Sequence, residues 1–224
     1  MKTFCGITTD GMLDYLAAIY KLGNGDGGQE RVTTSALAEL MHVSAAAASS
    51  MLKRLEESGF VERSNVDGIV LTEQGRLAAL QLVRRHRLLA VFLVDVMGFT
   101  WDETHEHADD LSAGLNDRLT ERMAEMTGQP TRCPHGEPIP DREGRLPVVN
   151  DVCIVNLGVG HRGAVSRVRT HEPEKLRYFA SLGLVPGVAV EIMGRAPFNG
   201  PMRLRVGRED VVIGYELMKS LWVT

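Results

Sequence analysis

The chain has 224 residues and a mass of 24.6 kDa, with 44% hydrophobic and 24% charged residues, a balance that excludes a disordered tail, a fibre and a membrane-embedded protein. Three widely spaced cysteines, Cys5, Cys133 and Cys153, argue against a disulfide framework, and no uncharged run reaches the ~18 residues of a membrane span, so a cytoplasmic protein is expected. The net charge of −4 is uneven: residues 96–130 carry 8 Asp/Glu against 2 Lys/Arg, which weakens indiscriminate phosphate binding but leaves room for a small DNA-reading face.

Taken in chain order, the first half reads as helices. Thr9 can cap a helix with Met12, Leu16, Ile19 and Tyr20 at a 3.6 period, ended by the run GNGDGG from Gly23. A second helix follows from Ser35, with Leu37, Ala38 and Met41 on one side. His42-Val43 turns the chain, and Ser44 caps a third helix whose inward positions are Ala48, Met51, Leu52 and Leu55, with Gly59 as its stop. Two helices joined by so short a turn form a helix-turn-helix. FVERS and GIVLT flank Asn65-Val66-Asp67-Gly68 and read as a hairpin, the wing.

A long helix from Thr72 to about Met97 carries so many apolar positions that burial against a partner chain is expected. Thr100 and Glu103 form a capping box opening another helix, expected from Asp102 to about Thr127. Composition then changes: residues 129–147 hold five prolines and cannot continue a helix. Beyond this linker, short alternating runs broken by Gly and Pro, with one helix at PEKLRYFASLG, predict a small β-barrel.

Five motifs occur along this frame: D-Y-L-x-x-I-Y-x-L (Asp14 to Leu22), L-T-E-Q-G (Leu71 to Gly75), R-R-H-R-L-L (Arg84 to Leu89), C-P-H-G-x-P-I-P (Cys133 to Pro140) and F-A-S-L-G-L-V-P-G (Phe179 to Gly187). In this order they resemble the diphtheria-toxin-repressor family of iron- or manganese-dependent transcription regulators, nearly end to end. The resemblance implies a mainly α N-terminal half, made of a winged helix-turn-helix over 1–75 and a helical metal-binding and dimerisation domain over 76–130. A proline-rich linker over 131–149 and an SH3-like domain over 150–224 follow. It also implies a homodimer that represses when metal is plentiful, with no enzyme activity.

The resemblance also implies ligands. Asp14 and His86 fall where the family places an N-terminal ligand and a histidine ligand; their bland alternatives are an exposed carboxylate and a phosphate-facing histidine. His105 and Asp109 are spaced i,i+4 and can converge from one helix face, with Glu106 within a turn. Asp102 and Glu103 are read as first-turn carboxylates with no further role. Ser112 and Ala113 stand where most members carry Glu-His, and Ala90 where many carry glutamate. The first site is therefore either assembled from Asp14, His86, His105 and Asp109 with water, or weakened in favour of a second. That second site would rest on Cys133 and His135, with Glu172 and its neighbour His171; the alternative is a structural turn with Cys133 buried. Cys153 reads as core. Carboxylate with imidazole suits Mn²⁺ or Fe²⁺, while a thiolate shifts preference toward Fe²⁺, Co²⁺ or Zn²⁺, the last two being candidates in vitro.

For DNA, the third helix offers Ser44, Ala46, Ala47, Ser49 and Ser50 at its entry and Lys53 and Arg54 a turn later. Small residues let a helix sit deep in the major groove, although alanine is also the best helix former. Thr33, Ser35, Arg63 and the wing tip at Asn65 are candidate backbone contacts. A homodimer would set two such helices ~34 Å apart on an inverted-repeat operator in double-stranded DNA. Under this reading, metal joining Asp14 to His86, His105 and Asp109 selects one spacing of the two helices. The alternatives are a winged-helix regulator answering a small organic ligand and, more remotely, a metallohydrolase, for which no H-E-x-x-H, G-x-S-x-G or Walker loop is present.

Overall fold

The structure, a computed structural model, describes residues 10–23, 32–64, 68–112 and 114–224. The expectations for Cys5, Thr9, Asn65, Ala113 and the glycine run beyond Gly23 lie outside these residues. Two compact units emerge: Met1–His86 with Asp110–Asp117 and Pro140–Leu146, and Arg87–Asp109 with Arg118–Ile139 and Pro147–Thr224.

The first unit is built on three helices and a hairpin. Helix α1 (Asp10–Gly23) turns Met12, Tyr15, Leu16 and Ile19 inward, the 3.6 period of its sequence. Helices α2 (Thr34–Leu40) and α3 (Ala45–Glu57) add Leu37, Ala38, Ala48, Leu52 and Leu55 to the same core. Strands β1 (Val61–Ser64) and β2 (Gly68–Leu71) pair antiparallel, Val61 opposite Leu71, and form the expected wing.

The L-T-E-Q-G motif then joins the wing to helix α4 (Glu73–Asp95) for a steric reason. Thr72 Oγ1 donates to the Gly59 carbonyl at 2.8 Å and accepts from Gly75 N–H at 3.0 Å. A Cβ on Gly75 would lie 1.9 Å from the Phe60 carbonyl oxygen, so only glycine lets the first turn of α4 rest on that backbone. Further along this unit, Arg84 donates to the Pro140 carbonyl at 2.8 Å, and Arg85 pairs with Asp117 at 3.2 Å.

The single helix expected over residues 102–127 is two: α5 (Thr104–Ser112) and α6 (Asp117–Met126), separated by a turn that includes Gly114. Half of the expected capping box is present ahead of α5: Glu103 accepts from both N–H and Oγ1 of Thr100 at 2.8 and 2.7 Å, while its own N–H donates to the Thr100 carbonyl. In the second unit, Leu88, Val91, Ala124, Cys133 and Ile139 form a small core.

Strands β3 (Val152–Cys153), β4 (Arg162–Val168), β5 (Ala189–Arg195), β6 (Met202–Val206), β7 (Glu209–Ile213) and β8 (Leu221–Val223) form one antiparallel sheet, ordered β3-β8-β4-β5-β6-β7. Helices α7 (Pro173–Ser181) and α8 (Tyr215–Met218) complete the domain, and Leu176, Phe179 and Met218 are buried with its sheet. Strand β4 changes partner along its length, Arg162–Ala164 facing β5 and Val165–Val168 facing β8, with a register shift between Val165 and Arg167.

The proline-rich stretch is pinned rather than slack. Val168 N–H donates to the His135 carbonyl at 2.9 Å, and a Cβ on Gly136 would meet the Ser166 carbonyl oxygen at 2.1 Å. Glu137 pairs with Arg87 at 3.1 Å, Arg167 at 3.4 Å and Arg169 at 3.3 Å, while Arg87 also donates to the Pro138 carbonyl. Pro138 and Pro140 lack a donor and are held through their carbonyls, by Arg87 and Arg84.

Candidate DNA-reading face and metal-ligating residues

Local chemistry fixes the reading face. Thr33 Oγ1 accepts from Ala36 N–H at 3.1 Å and Ser44 Oγ from Ala47 N–H at 3.2 Å, so each helix of the pair starts on its own hydroxyl cap. Helix α3 turns Ala48, Leu52 and Leu55 inward, which leaves Ala46, Ala47, Ser49, Ser50, Lys53 and Arg54 exposed together with Ser44. The outer face is thus small near the helix start and basic further on, a shape and charge that suit a major groove. Thr33, Ser35 and Arg63 are also exposed, and they line a cleft with Thr34, Ser64 and Glu56.

Glu56, which the sequence did not single out, accepts from Arg63 Nε at 2.9 Å. That bond holds its carboxyl below the usual range and fixes the guanidinium at the mouth of the cleft. Lys53 lies 3.8 Å from Glu57, both well exposed.

The expected ligands fall into separate groups. Asp14 on α1 and His86 on α4 are half-buried in the first unit. In the second unit His105 is half-buried, while Glu106, Asp109, His171 and Glu172 are exposed, Glu172 pairing with Lys175 at 2.6 Å. Cys133 and His135 are buried. Ser112 and Ala90 are buried too, at 4% and 1% exposure.

The rings of the second unit form a column. Trp101 stacks on His135 with centroids 5.6 Å apart, His135 on His105 at 4.1 Å, and His105 on His171 at 4.0 Å, all within 20° of parallel. His135 Nε2 lies 2.8 Å from the Trp101 carbonyl oxygen, which only accepts, so Nε2 carries a proton. Nδ1 faces Cys133 Sγ at 3.9 Å, and burial pushes that thiol up, keeping it the donor of the pair. Among the described residues no three His, Cys, Asp or Glu side chains are already gathered as a metal-holding group. The donor chemistry itself, imidazole beside carboxylate, fits a first-row divalent ion.

Three family models match in succession: the iron-dependent repressor N-terminal DNA-binding domain at residues 8–69, the iron-dependent repressor metal-binding and dimerisation domain at 72–141, and the FeoA domain at 152–224. A solved manganese-dependent transcriptional repressor, in complex with manganese, is 36% identical, covers 95% of this chain and 99% of its own, and superposes with a TM-score of 0.89. The chain belongs to the iron-dependent repressor family.

Other members of this iron-dependent repressor family include the iron-dependent repressor IdeR of Mycobacterium tuberculosis, 28% identical over 93% of this chain and 94% of its own length. The diphtheria toxin repressor of Corynebacterium diphtheriae is 28% identical over 73% and 68%. The family models follow one another along the chain in the order in which the sequence motifs occur.

Proposed function

We propose that this protein is a metal-dependent repressor that binds DNA as a homodimer and answers Mn²⁺ or Fe²⁺. The observation that carries the reading is the end-to-end likeness to a manganese-loaded repressor in a chain whose third helix presents an outer face of small and basic side chains. Acting on DNA assigns it to the cytoplasm. No described helix is long and apolar enough to cross a membrane.

Helix α3 enters the major groove, with Ala46 and Ala47 leaving space for base edges. Ser44, Ser49 and Ser50 contribute hydroxyls, and Lys53, Arg54, Thr33, Ser35 and Arg63 meet phosphates. Asn65 at the wing tip completes this set. Metal donors in the second unit are His105 and His171 with Glu106, Asp109 and Glu172. Asp14 and His86 are the donors of the first unit. A bound divalent ion supplies positive charge that holds these imidazoles and carboxylates in one arrangement. Helices whose donors are drawn together in the bound form alone shift the population toward the DNA-binding spacing, because only differential affinity moves such an equilibrium.

Cys133 and His135 stand behind these donors rather than among them. The sheet, with β4 bent between two partners, is read as an SH3-like barrel with an open seam. The unit boundaries 1–75, 76–130, 131–149 and 150–224 are the functional division proposed for it.

The deciding experiment titrates Mn²⁺ into the full chain with an inverted-repeat duplex, selected by the metal-loaded protein from a random pool. Affinity is expected to rise at least about tenfold, a coupling of ~1.4 kcal/mol. Equal affinity with Mn²⁺ and with chelator refutes the reading.

A further inference from the structure

The ring column contains a histidine with no free edge to offer. We propose that His135 is a positioning residue, a fixed flat platform that sets the orientation of the metal-ligating His105 imidazole, and that Cys133 serves His135 rather than a metal. This rests on the metal reading above.

Every degree of freedom of His135 is taken up. Its side chain is 2% exposed, its Nε2–H donates to the Trp101 carbonyl at 2.8 Å, and its Nδ1 faces Cys133 Sγ at 3.9 Å. Its backbone is fixed as well: its carbonyl accepts from Val168, Gly136 N–H donates to the Cys133 carbonyl at 2.8 Å, and the Gly136 backbone lies against the Ser166 carbonyl. His105 then lies parallel to this immobile ring at 4.1 Å, with His171 on its other face at 4.0 Å.

A ring held between two parallel neighbours can present its nitrogens only edgewise, in the plane of the stack. Rotation of its ring torsion would drive it into His135 or His171. His105 therefore meets a cation with its orientation already set, which is how residues behind a ligand raise metal affinity without touching the ion. The C-x-H spacing, which in isolation suggests a thiolate and an imidazole for one ion, serves here to hold one ring flat.

Trp101 provides the control for the test. Its carbonyl also accepts from Thr104 Oγ1 at 3.0 Å, so removing the His135 donor does not orphan it. His135→Phe keeps the flat ring without the nitrogens, whereas His135→Gln keeps an amide donor without the ring. Mn²⁺ affinity of the full chain, read by electron paramagnetic resonance of free Mn²⁺, is expected to stay within about threefold of wild type in His135→Phe and to fall about ten- to hundredfold in His135→Gln. Both variants should bind operator like wild type once saturated with Mn²⁺. The Co²⁺-loaded protein should lack a sulfur-to-cobalt absorption band, and Cys133→Ser should leave its visible spectrum unchanged.

A His135→Gln variant with wild-type Mn²⁺ affinity overturns the proposal. So does a loss in His135→Phe as deep as in His135→Gln, or a sulfur-to-cobalt band that vanishes in Cys133→Ser; both would make these residues ligands. A wild-type protein that binds no Mn²⁺ removes the metal reading itself, an outcome visible before any variant is made.

Discussion

Asp102 is 8% exposed and pairs with Arg177 on α7 at 3.0 Å. Burial alone would raise its carboxyl, but hydrogen bonds from Thr100 and Arg177 outweigh it and hold the group below the ordinary carboxylate range. A carboxylate depressed on folding contributes stability above its unfolded pKa, near 3.9, and loses it as pH falls through the lower folded value. Wild-type thermal stability should therefore drop as pH is taken below ~4. Asp102→Asn should lose about 1–2 kcal/mol at neutral pH and show a shallower acid decline. Identical pH profiles would refute the assignment. The sequence marks Asp102 as a first-turn acid and nothing more, because Arg177 lies 75 positions away and no periodicity connects them. Cys133 and His135 show a related limit: spacing brings two donors together but does not reveal that His135 Nε2 meets the Trp101 carbonyl. Gly75 is a further case where the requirement is local. Gly75→Ala must displace the Phe60 carbonyl and should cost about 1–3 kcal/mol in denaturant titration.

Among the elements, the winged helix was the most legible part because its signals are short-range. The hydroxyl cap at Ser44, a glycine stop at Gly59 and the inward trio Ala48, Leu52 and Leu55 all lie within one helical turn of what they control, whereas the cap at Thr33 emerges only from the structure. The break between α5 and α6 was not legible, since apolar spacing runs on across it and only the turn at Gly114 interrupts the helix. Sheet order was less legible still: β3 pairs with β8 across about seventy residues, as Cys153 opposite Trp222 illustrates. Two substitutions separate folding from reading on α3. Ser44→Ala removes a cap and should cost ~1 kcal/mol of stability. Ala47→Leu changes an exposed site, so the melting temperature should barely move, within ~0.5 kcal/mol. Its bulk nevertheless obstructs groove entry, and operator affinity should fall by about 1–3 kcal/mol. Wild-type operator affinity in Ala47→Leu would move the reading face elsewhere.

For the molecule as a whole, the acidic total and the basic outer face of α3 act at different ranges. A chain of net charge −4 repels duplex DNA at a distance, and in the proposed complex Lys53, Arg54 and Arg63 would offset that at contact. Binding should weaken steeply with salt, and Lys53→Ala should reduce the slope of log affinity against log salt by about one while leaving sequence preference intact. A change of preferred sequence would instead make Lys53 a base contact. Motif order identified the three functional parts, since each motif marks a local constraint such as the glycine under α4. Any arrangement that draws the proposed metal donors together is a matter of long-range packing, for which one sequence carries no periodic signal.

The hydroxyl of Thr72 touches the carbonyl that ends the α3 region and the amide that begins α4. Torque on the first turn of the long helix is therefore handed to the backbone at Gly59, as a crank hands it to its shaft.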